Sequence, residues 1–136
     1  MKTGLITGLK HVGIAVRNIE EALQVFEENL GLKHEKTVTL DERKLKIALL
    51  ELGEVKIELL EPLNREETIT KFLESRGEGI HHIAFQVTEI ENLLAQLKKQ
   101  GVKLIDETPR RGAEGDKIAF IHPKSTKNVL IELCEP

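Results

Sequence analysis

The chain writes the same strand twice. VKIELLEP at 55–62 and VLIELCEP at 129–136 agree at six of eight positions and lie 74 residues apart. Each copy carries a glutamate, Glu58 or Glu132, in the middle of an apolar run. A second matched pair lies upstream, GLKHVGIAV at 8–16 and GIHHIAFQV at 79–87, offset by 71. Solenoid arrays repeat every 20–50 residues or so, so this longer spacing marks a duplicated module and not an array.

Each copy reads as strand, helix and three further strands. Asn18 and Thr88 stand as helix N-caps, with Glu21 and Glu91 three residues on as capping-box partners. Ile19, Leu23, Phe26 and Leu30 then recur at helical spacing, as do Ile90, Leu94 and Leu97. Gly31 and Gly101 close the two helices as residues free to take positive φ. The later strands are expected near 35–40, 45–52 and 54–61 in the first copy. In the second they are expected near 103–107, 116–122 and 128–135. Between the copies, NREETITKFLESRGEG holds a short helix built on Ile69, Phe72 and Leu73, broken by Gly77 and Gly79. The expected organisation is one domain over 1–136. It comprises module 1 at about 7–62, a linker helix at about 64–78 and module 2 at about 79–136.

Alternate side chains of a strand face opposite sides. Val12, Ile14 and Val16 share one face, leaving His11, Gly13 and Ala15 on the other. Ile83, Phe85 and Val87 leave His82, Ala84 and Gln86 opposite. Glu58 and Glu132 stand on the reverse of Ile57/Leu59 and Ile131/Leu133. Two such modules, meeting about a pseudo-twofold axis, would gather His11, Glu58, His82 and Glu132. Two imidazoles and two carboxylates suit a divalent cation such as cobalt, zinc, nickel or manganese. Six-coordinate geometry would leave two adjacent positions for two oxygens of one substrate. Taken singly, a strand histidine is more often a hydrogen-bonding residue and a strand glutamate an edge decoration. Repetition in register across a duplication is what favours the joint site.

The remaining candidates have plainer readings. His81 faces away from His82, His34 follows a helix end, and His122 precedes Pro123 in a turn. Lys124, Lys127, Arg110 and Arg111 read as solvated loop charge. Cys134 shares the face of Glu132 but has no assigned base beside it.

Composition excludes several classes. A net charge of -3, with four Phe and no Tyr or Trp, disfavours nucleic-acid binding. No apolar run approaches the roughly 18 residues of a membrane span. The stretch MKTGLITG lacks a secretory h-region, and one cysteine allows no internal disulfide. Together these suggest a cytoplasmic protein that engages neither membrane nor nucleic acid.

The duplicated module with one His and one Glu per copy resembles the vicinal oxygen chelate superfamily, and within it the methylmalonyl-CoA epimerases. The stretches that carry the likeness are HVGIAV, ELGEVKIELLEPL, the span from ITKFL to GEGIHHIAFQV, RRGAEGDKIAFIHPK and VLIEL. The resemblance implies an α+β fold of two tandem βαβββ modules forming a curved mixed sheet around a metal cavity. It also implies a homodimer and one divalent ion, often cobalt, per subunit. The ligands implied are His11, Glu58, His82 and Glu132, although some epimerases have Gln at the position of Glu58. The implied activity is epimerisation of methylmalonyl-CoA at C2 through a metal-stabilised enolate; among this chain's own residues Glu132 is the favoured base and Glu58 the candidate for the second.

The chain departs from the family at three places. A further glutamate that some members carry in the third strand is matched here by Ile47. A common Gln-Gly pair is replaced by Arg43 and Lys44. Asn128 stands where Gly is usual, and Asn also tolerates the left-handed conformation. Two rival readings remain. One is a glyoxalase I acting on a glutathione hemithioacetal, disfavoured by IHPKSTKN where a DPDG-type turn is usual. The other is a non-catalytic small-molecule binder of this fold, disfavoured by the complete ligand set.

Overall fold

Alternation sets the strands. Along β1 (Ile6–Ala15), His11, Gly13 and Ala15 are buried while Val12 and Ile14 are half-buried, so both faces beyond Lys10 are covered. The computed structural model describes residues 4–136; the start of the stretch MKTGLITG lies outside them. The elements are β1, α1 (Ile19–Leu23), β2 (Lys33–Leu40), β3 (Leu45–Leu52), β4 (Val55–Pro62), α2 (Thr68–Arg76) and β5 (Gly79–Val87). They continue with α3 (Ile90–Lys99), β6 (Arg110–Arg111), β7 (Lys117–Ile121) and β8 (Ile131–Glu135).

Two units divide the chain, and β1 runs from one into the other. In His11–His81, β2 pairs antiparallel with β3, β3 antiparallel with β4, and β4 parallel with the second half of β1. In the other unit, residues up to Lys10 run with His82–Pro136. There the start of β1 lies along β5, through Thr88 N–H to the Leu5 carbonyl (2.9 Å) and the Thr7 hydroxyl to the Gln86 carbonyl (3.2 Å). β5 pairs parallel with β8, β8 antiparallel with β7, and β7 with β6. The mixed eight-stranded order is therefore β2-β3-β4-β1-β5-β8-β7-β6, the fold class that the repeat implied.

Each helix covers the apolar face of its own strands. Ile19, Ala22, Leu23 and Phe26 pack on Ile14, Val16, Ala48, Leu50, Ile57 and Leu59. Ile90, Leu93, Leu94 and Leu97 pack on Ile83, Phe85, Val87, Ala119, Ile121, Ile131 and Leu133. Removing these faces from water supplies the main drive to fold, about 25 cal/mol per Å² of apolar area. The linker helix forms as α2 and buries Ile69 and Leu73. Gly31 and Gly101 do take positive φ, at 79° and 86°, and Asn128 does so at 69°.

Three local expectations are corrected. Thr88 is not the N-cap of α3. Its hydroxyl accepts the Leu5 N–H (3.2 Å), and the cap position falls to Glu89, in the left-handed region at φ 47°. The N–H groups of Glu89 and Ile90 are taken instead by the carboxylate of Glu135, at 3.1 and 3.0 Å. The first module uses the equivalent Glu61, which accepts from Ile19 N–H at 2.8 Å, while Asn18 caps Glu21 as expected (2.9 Å). The second glutamate of each repeated strand is thus a helix cap delivered from the sheet.

The strand expected at 103–107 is reduced to a single bridge between Leu104 and Ile121. The Asp106 carboxylate accepts the Phe120 N–H (2.8 Å), which displaces a backbone partner and ends the ladder. Finally, α1 does not continue as an α-helix to Leu30. Residues Gln24–Asn29 open into a π-helical turn, with Leu30 N–H bonded five residues back to Val25.

Candidate metal centre

All four residues singled out by the repeat are buried, His11 and Glu58 6 % exposed and His82 and Glu132 5 % exposed. Buried carboxylates demand partners because leaving water is costly for a charge. Within the unit His11–His81, the registers Gly13↔Glu58 and Glu58↔Leu49 put Glu58 between a glycine and a leucine. His11 Nε2 lies 3.3 Å from Glu58 Oε1. Within the other unit, Ala84 and Phe120 flank Glu132 across the ladder. His82 Nε2 lies 3.0 Å from Glu132 Oε1. Each module therefore presents one imidazole–carboxylate pair, the second the tighter.

Each pair, buried within its own unit, offers one imidazole nitrogen and one carboxylate. The donor set fits a divalent cation: neutral imidazole nitrogens and carboxylate oxygens are the ordinary protein ligands of zinc, and imidazole suits cobalt and nickel as well. A cation among these atoms would also compensate the buried carboxylates.

Small residues, Gly13 and Ala84, stand opposite Glu58 and Glu132 in the ladders. Ile47 is 3 % exposed, paired with Val38 and Leu60, and a hydrocarbon there can move no proton. Sequence reasoning passed over Phe120. Its ring meets His82 edge-on at 5.8 Å, and it stands opposite Glu132 as Leu49 stands opposite Glu58. The 71-residue offset between Leu49 and Phe120 was the available signal.

The other histidines keep structural roles. His81 sets its ring edge-on to Phe72 at 5.0 Å, and His34 Nε2 meets Thr37 Oγ1 at 2.8 Å. His122 Nδ1 accepts the Lys124 N–H (3.0 Å) at the 3₁₀ turn Pro123–Ser125. Arg110 is engaged by Asp106 (3.3 Å) and lies 5.5 Å over Phe120, while Arg111 donates to the Gly115 carbonyl (2.7 Å). With Glu91 and Lys117, these arginines line a surface pocket of about 200 Å³. Lys124 and Lys127 are exposed.

Comparison with known proteins identifies the family. A family model of the Glyoxalase/Bleomycin resistance protein/Dioxygenase superfamily matches residues 10–120. The chain is 36% identical over 126 residues to the mitochondrial methylmalonyl-CoA epimerase of Homo sapiens, covering 92% of this chain and 72% of that protein. The solved methylmalonyl-CoA epimerase from Mycobacterium tuberculosis superposes with a TM-score of 0.92 at 40% identity, covering 100% of this chain and 92% of that one. A methylmalonyl-CoA epimerase solved in complex with methylmalonyl-CoA and NH4+ gives 0.90 at 31% identity, with coverage of 96% and 95%.

Proposed function

We propose that this chain, which belongs to the glyoxalase/bleomycin resistance protein/dioxygenase superfamily and within it to the methylmalonyl-CoA epimerase family, interconverts the C2 epimers of methylmalonyl-CoA. The observation that carries the reading is the pair of buried imidazole–carboxylate contacts, His11–Glu58 and His82–Glu132, in a chain whose relatives bear that enzyme's name. The chain is accordingly read as an isomerase that holds one divalent cation per subunit, cobalt first and zinc, nickel or manganese as alternatives.

His11, His82, Glu132 and Glu58 would hold the cation. When bound, it supplies Lewis-acid charge beside the substrate's oxygens, which favours loss of a proton next to a carbonyl. The remaining chemistry belongs to the side chains. Glu132 accepts the C2 proton on a carboxylate oxygen, and Glu58 is the group that donates one from the opposite side. The negative charge left on the substrate spreads from C2 onto the thioester oxygen. We further read the protein as a cytoplasmic homodimer. Light scattering in solution checks the dimer.

The test uses (2R)- or (2S)-methylmalonyl-CoA in heavy water with the metal-loaded chain. Deuterium should enter C2 while the epimers equilibrate. Turnover of the methylglyoxal–glutathione hemithioacetal without exchange on methylmalonyl-CoA would give the assignment to a glyoxalase instead.

A further inference from the structure

The two repeated strands differ at two positions only: Lys56 becomes Leu130, and Leu60 becomes Cys134. The second difference sits beside the glutamate, on its face of the strand. In β8 the Cys134 thiol donates to Glu132 Oε2 at 3.3 Å, and the pair is buried. The other oxygen of that carboxylate, Oε1, is the one 3.0 Å from His82 Nε2. At the equivalent place in β4, Leu60 has no proton to offer, and it is as well buried (3 % exposed) as Cys134 (1 % exposed). Packing alone is therefore met by a hydrocarbon at this position. Cys134 packs against Ala84, Ile118, Phe120 and Leu130, with Gln86 opposite it across the ladder. Its thiol donates from that apolar cluster to the carboxylate.

We propose that Cys134 is a positioning residue, whose S–H holds Oε2 of Glu132 so that the carboxylate keeps Oε1 toward His82 and the metal ligands. This rests on the reading of Glu132 as ligand and base. A carboxylate rotates about its last bond over a broad, twofold range. Pinning one oxygen removes that freedom and fixes which oxygen faces His82. A thiol is a weak donor, so it steadies Glu132 without tying up the lone pairs that must accept a proton. Beside Glu58 the matching place holds Leu60, which has no thiol. The difference gives two carboxylates, equivalent by repeat, unequal roles.

The test exploits the chain's having one cysteine, so that its S–H stretching band in the infrared belongs to Cys134 alone. Glu132→Ala should move that band to the frequency of a thiol without a charged acceptor. Cys134→Val removes the donor while adding about one methyl group of volume, whereas Cys134→Ser keeps a donor. With methylmalonyl-CoA, Cys134→Val should lower kcat for C2 exchange roughly tenfold, the loss expected for one hydrogen bond to a charged group, with KM within about twofold. Cys134→Ser should restore most of that rate. In the cobalt(II)-loaded protein, the visible absorption bands should change for Val and not for Ser. An unmoved S–H band, a Val variant with wild-type kcat and cobalt spectrum, or a Ser variant as impaired as Val would each overturn the proposal. A wild-type chain that exchanges no methylmalonyl-CoA proton, yet shows the infrared and cobalt responses, defeats the epimerase reading and leaves the positioning role intact.

Discussion

Removing the carboxylate of Glu135 should unsettle α3 more than removing that of Glu61 unsettles α1, although the two residues are equivalent by repeat. Glu135 takes two N–H groups, from Glu89 and Ile90, at a helix start where the cap residue's own side chain accepts no backbone N–H. Glu61 takes one, from Ile19, and Asn18 remains to cap Glu21. Loss of an N-cap costs about 0.5–2 kcal/mol. With both bonds partly exposed, about 1 kcal/mol each is a fair figure, or about 2 kcal/mol for Glu135→Ala and about 1 kcal/mol for Glu61→Ala. At roughly 2.1 cal/mol/K of unfolding entropy per residue, the 136-residue chain carries about 0.29 kcal/mol/K. The expected falls in Tm are then about 7 °C and about 3–4 °C. Calorimetry with chelator present is the assay, since a bound cation would raise Tm by mass action. An unchanged Tm for Glu135→Ala, or a larger fall for Glu61→Ala, would refute the assignment of these glutamates as sheet-borne caps.

Other expectations follow from the same geometry. Glu132→Gln should keep part of the metal uptake yet lose at least about a hundredfold in C2 exchange; wild-type turnover would remove Glu132 as a base. Glu58→Gln should lose less, and a loss equal to that of Glu132→Gln would contradict the inequality argued for the pair. Gly4→Ala should lower stability by about 1–3 kcal/mol through overpacking, because a Cβ there would lie 2.6 Å from Leu93 Cβ and 3.0 Å from its backbone; a wild-type denaturation midpoint would show that the contact relaxes. The hydrogen bond from Lys117 holds Glu91's carboxyl below its ordinary range, and the same bond raises Lys117. Glu91's contribution is present above its unfolded pKa and fades as pH falls through the folded value. Lys117's is present below its unfolded pKa and fades as pH rises through the folded one. The pair thus acts at neutral pH, and being exposed it should matter little: Glu91→Gln should shift Tm by under about 2 °C, and a larger shift that survives high salt would be a contradiction.

The candidate site could be named from the sequence because duplication repeats chemistry in register. One His or Glu against a face of glycine and alanine is ambiguous once, but not when the same offset reproduces it. Alternation then settled which side chains met the helices, and Ile83, Phe85 and Val87 fell where period two put them. What escaped reading depends on contacts between distant residues. Thr88 has the composition of a cap, yet Leu5, 83 positions away, claims its hydroxyl. Glu135, whose carboxylate does the capping, lies 45 residues from Ile90. The strand expected at 103–107 satisfies the local pattern and fails only because Asp106 supplies a side-chain acceptor to Phe120. Phe120 beside His82 was hidden for the same reason, being defined by register across β7 and β8 and not by its neighbours in sequence.

The most direct measurement is deuterium incorporation at C2 of methylmalonyl-CoA, followed by NMR in heavy water with the chain first stripped of metal and then reloaded with cobalt. Exchange that is absent in the stripped chain, returns on reloading, and is lost again in the His82→Ala variant is the predicted result. Exchange at an undiminished rate in the stripped chain, or none in the reloaded one, would contradict the assignment of His11, His82 and Glu132 to a metal-assisted epimerase site.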